Sequence, residues 1–556
     1  MANPSLQIGN SKWAIKKDNL LGYSTAGTRF LPIPITMTRA SAGTRVNPQG
    51  LVETVELLGS EEITNGNFAT NTDWTLSQTT IANDKATVNS TSAYGIKLTQ
   101  ATTIGLNKTY KLLFTVADVG ANINFKIGFG NLNNGVYSDL ITTAGTYEIY
   151  LTQTDALAPS QILILTWSIA VQTFSITNIS VKESTRNDLA RVDYTGSTSS
   201  LLAEPQRTNL VIYSEDFSNA AWSKSSVGID TSIGTNGINP NIAISPDGTL
   251  NSDRVNFLLQ SDRDSGMYEI ISASTGNSYT TSVYLKGEGS NIGKTIKIRI
   301  KRVTGGSFVS VDADYVLTGE WVRLEMNPLT LSGANSNALL VFTSNDATSC
   351  LMYGCQVEEG SYPTSIIPTS GSTVTRNQDQ FTRDGIGSLI NSTEGVLFLE
   401  MAALADDGTN RYLSISNSTV PADDYIYFRF MSTSNRVLAR TRVGGVTINT
   451  MEKTISDTTA YNKYAIKWKS GDYAFWINGV EELVDTSATI FGADVLNQIK
   501  FDFPVGSGTF PSKVKQLQVY KTALTDEQLI QLTGTSGTDF YESYAEMASA
   551  LTYTIQ

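Results

Sequence analysis

The sequence of 556 residues contains no histidine, and this absence removes several kinds of catalytic site at once. Serine and cysteine nucleophiles commonly depend on a histidine base, and histidine is also a frequent ligand of zinc. A hydrolase of the Ser-His-Asp or Cys-His type is therefore excluded, and so is a histidine zinc site.

Cysteine is almost as scarce, because Cys350 and Cys355 are the only two in the chain. The stretch around them alternates like a β-strand, so a spacing of five predicts side chains on opposite faces, roughly 16 Å apart along the strand. Bridged cysteines normally have their Cα atoms within about 7 Å of each other. We therefore expect two free thiols.

An excess of positive charge is also missing, since 40 Lys and Arg face 52 Asp and Glu and give a formal net charge of -12. Nucleic-acid binding needs a basic surface. No apolar run approaches the length of a membrane span, and the amino terminus has no basic region followed by an apolar one. We expect no nucleic-acid partner, no membrane insertion and no export signal.

Period-two alternation of apolar and polar residues is abundant instead. Tyr464, Ile466 and Trp468, for example, alternate with Lys467 and Lys469. Turn dipeptides such as Asn-Gly and Asp-Gly recur at short intervals, and long amphipathic helical windows are rare. The pattern predicts an all-β protein made of tandem antiparallel β-sandwich modules.

A diverged internal repeat relates residues 63–183 to residues 212–359. A Phe followed by a Trp opens each copy, at Trp74 and at Trp222, and four strand-like segments follow in the same order. Chance alignment of two β-rich stretches is the alternative, but five landmarks in register favour two copies of one module. The repeated tryptophans are interpreted as structural residues.

Alternation, repeat and connectors together divide the chain into seven parts. These are an N-terminal segment (1–61), a first sandwich (62–185), a connector (186–210), a second sandwich (211–367), a connector (368–382), a third module (383–533) and a tail (534–556). The N-terminal segment is predicted to be an extended anchor, because Pro32 and Pro34 lack ladder donors and make LPIPI a poor central strand. Thr525 and Gln528 predict a capping box on a short helix near the end of the third module.

The third module carries a resemblance to a known fold family. Its strand-turn-strand sequence YAIKWKSGDYAFWINGV, with the later YKTALTDEQL, is similar to the C-terminal signature of concanavalin A-like, laminin-G-type lectin domains. The resemblance implies a lectin-like sandwich over residues 383–533. Because such domains include glycan-binding modules as well as glucanases, the fold leaves the activity open.

The two repeats resemble jelly-roll carbohydrate-binding modules, whose sequences open with segments such as GNF..TDW or EDFSNAAW and close with strands such as ISVKE or CQVEEG. The segments 38–53, 191–222 and 381–385 resemble connectors of bacteriophage tail or head fibres and related virion adhesins. Within that resemblance Arg39 and Glu204 belong to segments that join modules, and nothing marks them as catalytic.

The resemblance implies a virion structural protein, a fibre or adhesin that assembles in the host cytoplasm. Residues 1–61 would attach it to other virion proteins, and the sandwich modules would present a surface to host glycans. A homo-oligomer, such as a trimer, is implied as well. The alternatives are a polysaccharide-degrading enzyme (a depolymerase) and a bacterial surface adhesin, both of which should carry an export signal.

Glycan binding on a β-sandwich commonly uses an aromatic ring against a sugar face, with amide or carboxylate groups nearby. Trp476, beside the turn at Asn478, is the first candidate, and Tyr284 is its equivalent in the second module. The alternative for each ring is a structural position covered by a neighbouring chain or loop.

Acidic residues of the third module could hold calcium, which takes six to eight oxygen ligands. The candidates are Asp406, Asp407, Asn417, Asp423 and Asp424. The alternative is that they serve solvated turns. No other cofactor is expected, and no enzymatic activity, because the paired carboxylates of a glycosidase are not evident in the sequence.

Overall fold

The computed structural model describes residues 3–26, 29–224, 237–259, 261–264, 266–302, 309–331, 337–419, 423–506 and 508–534. Strands dominate these ranges, and the strand pairs in its sheets are antiparallel, which confirms the all-β prediction. The chain forms two compact units, one of residues 56–186 and one of residues 1–55 together with 187–556.

Up to Val55, the described residues of the N-terminal segment contain six strands. They are β1 (Leu6–Gly9), β2 (Ile15–Lys16), β3 (Asn19–Ala26), β4 (Arg29–Thr38), β5 (Thr44–Val46) and β6 (Val52–Thr54). The first repeat follows. Its strands are β7 (Leu57–Glu61), β8 (Thr75–Leu76), β9 (Thr79–Ala82), β10 (Lys85–Ser90), β11 (Gly95–Ala101), β12 (Thr109–Ala121), β13 (Phe125–Gly130), β14 (Gly135–Tyr137), β15 (Gly145–Thr152), β16 (Gln161–Thr166) and β17 (Gln172–Thr185).

Three connector strands lead to the second repeat. The strands of both parts are β18 (Arg191–Thr195), β19 (Thr198–Ala203), β20 (Arg207–Asn209), β21 (Ile238–Ile244), β22 (Leu250–Asn256), β23 (Met267–Ser272), β24 (Ser278–Lys286), β25 (Thr295–Arg302), β26 (Ser310–Val316), β27 (Val322–Glu325), β28 (Leu329–Thr330), β29 (Asn337–Thr343) and β30 (Ser349–Glu359).

Strand β31 (Val374–Arg376) pairs with β20 and precedes the C-terminal domain. The elements of that domain are β32 (Gln380–Arg383), β33 (Glu394–Ala403), β34 (Arg411–Ser416), β35 (Tyr425–Phe430), β36 (Arg436–Val443), β37 (Val446–Thr454), β38 (Asn462–Lys469), β39 (Tyr473–Ile477), β40 (Val480–Asp485), β41 (Gln498–Lys500), β42 (Ser512–Tyr520) and the helix α1 (Asp526–Thr533). Thr525 and Gln528 cap α1 with the predicted capping box.

The two repeats have the same strand order. In the first, one sheet runs β9-β10-β17-β12-β15 and the other β8-β11-β16-β13-β14. In the second, the sheets run β21-β22-β30-β24-β27 and β23-β29-β25-β26, so these nine strands occupy the places of β9-β10-β17-β12-β15 and β11-β16-β13-β14. A shared topology with matching order along the chain confirms the internal repeat.

The repeated tryptophans have the same surroundings. The indole Nε1 of Trp74 donates to the carbonyl of Asn65 at 3.0 Å, and that of Trp222 donates to the carbonyl of Tyr213 at 3.0 Å. Each ring also packs against the Phe that precedes it, at centroid distances of 5.3 and 5.1 Å. The prediction that both are structural residues is confirmed.

The C-terminal domain is one continuous sheet that folds round a main apolar core. Its order is β37-β36-β35-β34-β41-β32-β4-β3-β1-β42-β33-β38-β39-β40, with β19 also paired to β42. Strands from the N-terminal segment therefore lie in the middle of this sheet.

This arrangement corrects the prediction of an extended N-terminal anchor. Strand β4 pairs with β3 along its length and with β32 at its end, where Met37 lies opposite Phe381. Pro32 and Pro34 are tolerated because they precede the residues of β4 that pair with β32, so their missing N–H groups fall where β4 has one neighbour. Ile35 and Met37 are fully buried in the core of the C-terminal domain.

Cys350 and Cys355 are both free and buried, but the predicted opposite faces are wrong. Gly354 adopts a φ of +61, and the pairing of β30 with β24 shifts register at this point. Such a bulge inserts an extra residue and resets the alternation. Both thiols therefore belong to the core of the second repeat.

Candidate functional site

The first predicted glycan residue, Trp476, is buried. Its side chain is 3% exposed and packs with Phe398, Leu524 and Leu529 beneath α1. The prediction of an exposed ring is wrong, because alternation along β39 identifies the face of the strand but not the helix that folds back over that face.

Asn478 is a turn residue. It adopts a φ of +50, its Nδ2 donates to Asn462 Oδ1 at 2.7 Å, and its Oδ1 accepts the N–H of Lys463 at 2.9 Å. Its amide group therefore ties the turn between β39 and β40 to the start of β38.

The first two calcium candidates are engaged in separate loop contacts. Asp406 accepts hydrogen bonds from the Ser434 hydroxyl and from the N–H of Asn435 at 3.0 Å. Asp407 forms an ion pair with Arg411 at 2.8 Å and accepts from the Ser361 hydroxyl at 2.7 Å.

The remaining candidates lie between β34 and β35, beside the turn that joins β36 to β37. Asn417 Nδ2 is 3.3 Å from Asp424 Oδ2, Asp424 Oδ1 accepts the N–H of Gly444 at 2.7 Å, and Asp423 is 4.0 Å from Arg442. Within the described ranges, no group of three or more His, Cys, Asp or Glu side chains could hold a metal ion.

Tyr284, the second predicted glycan residue, is half-buried and lines a cleft of about 320 Å³. We call it the junction cleft, because its walls come from the second repeat, the connectors and the C-terminal domain. Its principal side chains are those of Arg45, Asp193, Tyr284, Arg323, Glu325, Tyr362 and Lys513.

The wall from the second repeat joins an aromatic ring to a guanidinium group. Tyr284 and Arg323 are directly opposite in β24 and β27, and Arg323 lies 5.9 Å from the centre of the Tyr284 ring. Arg323 Nη2 donates to Ser282 Oγ at 2.8 Å and to the carbonyl of Thr364 at 2.6 Å. These bonds fix the guanidinium beside the ring, and burial raises the pKa of the Tyr284 hydroxyl.

The opposite wall is held by an ion pair between a connector and the C-terminal domain. Lys513 Nζ on β42 lies 2.8 Å from Asp193 Oδ2 on β18, and Asp193 Oδ1 accepts the N–H of Val46 at 2.8 Å. Burial lowers the pKa of Lys513, but the Asp193 carboxylate outweighs it and the net shift is upward. Lys513 is therefore a fixed positive charge at the cleft.

Beneath the cleft, the connectors form a fully buried ionic cluster. Arg191 contacts Glu204 at 2.5 Å and also pairs with Asp379, Arg39 pairs with Asp379 at 2.8 Å, and Arg376 pairs with Glu204 at 2.9 Å. Burial opposes ionisation of Glu204, but Arg376 and Arg191 hold its pKa well below the ordinary range. The sequence indicated this cluster only through charged residues, such as Arg39 and Glu204, in the segments assigned to joining modules.

The junction cleft therefore offers a tyrosine ring, donors, acceptors and charges of both signs in one concave surface. Asp193 and Glu325 lie beside basic side chains, at 2.8 Å from Lys513 and 3.4 Å from Arg323. Tyr362 adds a second hydroxyl, and burial raises its pKa to about 12, so it stays protonated at neutral pH. Such a set of groups can bind a polyhydroxylated ligand.

The sequence matches no protein-family model. It also matches no curated protein. Among solved structures, similarity extends to the CBM40 module of a Ruminococcus gnavus intramolecular trans-sialidase bound to α2,3-sialyllactose, at 19% identity and a TM-score of 0.23, over 26% of this chain and 83% of that one.

Two tandem proteins also share partial similarity. The CBM22 pair of Paenibacillus barcinonensis Xyn10C matches at 11% identity and a TM-score of 0.20, over 58% of this chain and 100% of that one. Domains LG4-5 of mouse laminin α1 match at 13% identity and a TM-score of 0.20, over 56% and 96%. Within the described part of the chain, no helix has the length and apolar character needed to cross a membrane.

Proposed function

We propose that the protein binds a glycan in the junction cleft, without turnover, as a structural component of a bacteriophage particle. The observation that carries the binding activity is the pairing of Tyr284 with Arg323 on one wall of the cleft. A tyrosine ring can lie against a sugar, and a fixed guanidinium can donate to its hydroxyl groups.

The absence of turnover rests on how the carboxylates of the cleft are used. A glycosidase needs one carboxylic acid to donate a proton and a second carboxylate to act on the sugar. Asp193 and Glu325 instead form ion pairs with Lys513 and Arg323. Their geometry suits anchoring of the walls and of a ligand.

The setting in a phage particle rests on the connector sequences, which resemble those of virion fibres and adhesins. Arg39 and Glu204, which belong to these segments, lie in the buried ionic cluster that joins the second repeat to the C-terminal domain. Electron microscopy of purified particles, labelled with an antibody against residues 383–533, tests this setting; unlabelled particles from the producing host would contradict it.

Glycan binding is tested by substitution in the cleft. Tyr284→Ala should weaken binding to host surface polysaccharide by about 1–3 kcal/mol, the effect of losing an aromatic anchor. Tyr268→Ala is the matched control, because Tyr268 is a half-buried tyrosine on β23, in the other sheet of the same repeat. Equal effects of the two variants would contradict a site at the cleft.

Turnover is tested with the same polysaccharide. Reducing ends should stay constant over hours of incubation with the purified protein. A steady rise that disappears in Glu325→Gln or Asp193→Asn would make the protein a depolymerase.

A further inference from the structure

The sheet of the C-terminal domain carries an aromatic cluster on the face turned away from the main core. Tyr425 and Tyr427 lie on β35, and Tyr412 lies on the neighbouring β34. With Phe503 they form ring pairs at centroid distances of 5.1–6.0 Å. Ile426 and Phe428, the alternate residues of β35, point into the main core instead.

Three arginines lie over these rings. Arg429 is 5.7 Å from the centre of the Tyr412 ring, Arg440 is 5.9 Å from that of Tyr427, and Arg442 is 5.8 Å from that of Tyr425. A ring attracts a guanidinium group without using its N–H donors. The contact therefore positions each arginine and leaves donors for a ligand. We call these three tyrosines and three arginines the Tyr–Arg face.

The positive charge of the Tyr–Arg face is weakly compensated. Arg442 Nη2 is 4.0 Å from Asp423 Oδ1, while Arg429 and Arg440 form no ion pair with any described residue. Arg440 Nε donates to Thr450 Oγ1 at 3.1 Å, and Arg429 Nη1 is 3.4 Å from the Tyr412 hydroxyl. In a chain with a formal net charge of -12, this is a local concentration of positive charge.

We propose that the Tyr–Arg face binds an acidic polysaccharide, one that carries carboxylate or sulfate groups. Guanidinium groups bind oxyanions through charge-assisted, often paired hydrogen bonds, and three of them are held side by side here. The site does not overlap the junction cleft, and the proposal does not depend on glycan binding there.

An acidic polysaccharide is favoured over nucleic acid by the burial of the rings. Tyr425 and Tyr427 are only 4% and 1% exposed, so they offer no open face on which bases could stack.

The experiment measures binding of the full chain to immobilised heparin and polygalacturonate, with uncharged dextran and duplex DNA as comparison ligands. The wild-type chain should bind both acidic polysaccharides, more weakly as salt screens the charges, and should not bind dextran through this face. Arg429→Gln with Arg440→Gln should reduce binding by roughly tenfold or more, because two charge-assisted contacts are lost.

Two control variants define the site. Arg436→Gln with Glu452→Gln removes an ion pair of 2.5 Å from the same sheet, leaves the net charge unchanged and should preserve binding. Tyr284→Ala distinguishes the two sites, because Tyr284 lies in the junction cleft. If Tyr284→Ala abolishes binding of the acidic polysaccharides while Arg429→Gln with Arg440→Gln does not, they bind at the cleft and the proposal is wrong.

Other results would also overturn the proposal. These are unchanged binding in a folded Arg429→Gln, Arg440→Gln variant, or tighter binding to duplex DNA than to either polysaccharide. If that variant does not fold, Arg429→Lys with Arg440→Lys keeps both charges but loses the paired donors of the guanidinium. It should bind several-fold more weakly, and unchanged binding would again contradict the proposal.

Discussion

The two repeats share their strand order but bury different polar groups at the same position. In the first, Gln100 Oε1 accepts the N–H of Thr64 at 2.7 Å, and Gln100 Nε2 donates to the carbonyl of Thr64 at 2.9 Å. In the second, Glu269 Oε1 accepts the N–H of Ile212 at 3.1 Å. Thr64 and Ile212 are equivalent, because the residue after each accepts the indole N–H of its repeat's tryptophan.

The difference shows that a shared topology does not fix the electrostatics of a core. A neutral amide satisfies both backbone groups of Thr64, whereas an ionised carboxylate can only accept. Burial of Glu269 therefore raises its pKa to about 7, although the Ile212 N–H favours the charged form. We expect the second repeat to depend on pH in a way that the first does not.

The largest expected effect is the stability lost when a repeated tryptophan is replaced. It tests whether Trp74 and Trp222 contribute equally to the stability of their repeats. Trp222→Ala should destabilise the second repeat by about 3–5 kcal/mol, because it opens a large cavity. Trp74→Ala should cost the first repeat less, because Trp74 is 8% exposed whereas Trp222 is 1% exposed and also packs 6.0 Å from Phe342.

Hydrogen exchange resolved by peptide measures both variants in the full chain. Each substitution should lower protection in its own repeat. Equal losses at the two sites would show that the extra partner of Trp222 contributes nothing to stability.

The next effect tests the amide and carboxyl difference itself. Since the folded pKa of Glu269 lies above its unfolded value of about 4.3, its contribution to stability falls as pH rises through the interval up to about 7. Glu269→Gln should therefore stabilise the second repeat at pH values above 7 by roughly 2–3 kcal/mol, with little effect in mild acid. Part of the pH dependence of stability should remain in this variant, because Asp253 and Glu215 also have raised pKa values, of about 6 and about 7.

The reciprocal substitution is the control. Gln100→Glu should give the first repeat the pH dependence that Glu269→Gln removes from the second, as measured by urea denaturation across pH. A first repeat that stays insensitive to pH would mean that its core admits water or rearranges, and the proposed equivalence of the two positions would fail.

Much of the fold follows from local pattern in the sequence. Alternation predicted the all-β class, because successive residues of a strand face opposite sides of the sheet and turn residues mark where strands end. Ordered landmarks such as Trp74 and Trp222 predicted the repeat. The place of the N-terminal strands could not be predicted in this way. Whether the end of β4, just after LPIPI, pairs with β32 depends on a partner more than 340 residues away, and local propensity carries no information about that pairing.

The candidate site was predictable only in part. Tyr284 was recognised as an outward-facing ring, and it lines the junction cleft. Trp476 was assigned the same property, but α1 covers it. The cleft itself could not be foreseen, because Lys513, Asp193 and Arg323 come from three distant segments that only the folded chain brings together.

The smallest expected effect concerns the bulge that both repeats share. Asn178 in β17 and Gly354 in β30 have φ values of +55 and +61, and each lies at a register shift against β12 or β24. Asn tolerates this backbone region better than most residues, so Asn178→Gly should change stability little, whereas Asn178→Ala should cost about 1 kcal/mol. Gly354→Ala should cost more than Asn178→Ala, because the new Cβ would lie 2.1 Å from Ile366 Cδ1 and force that side chain to move. Urea denaturation measures the free energy of unfolding of the three variants. A Gly354→Ala variant as stable as Asn178→Ala would show that the two bulges tolerate a new Cβ atom equally despite their different neighbours.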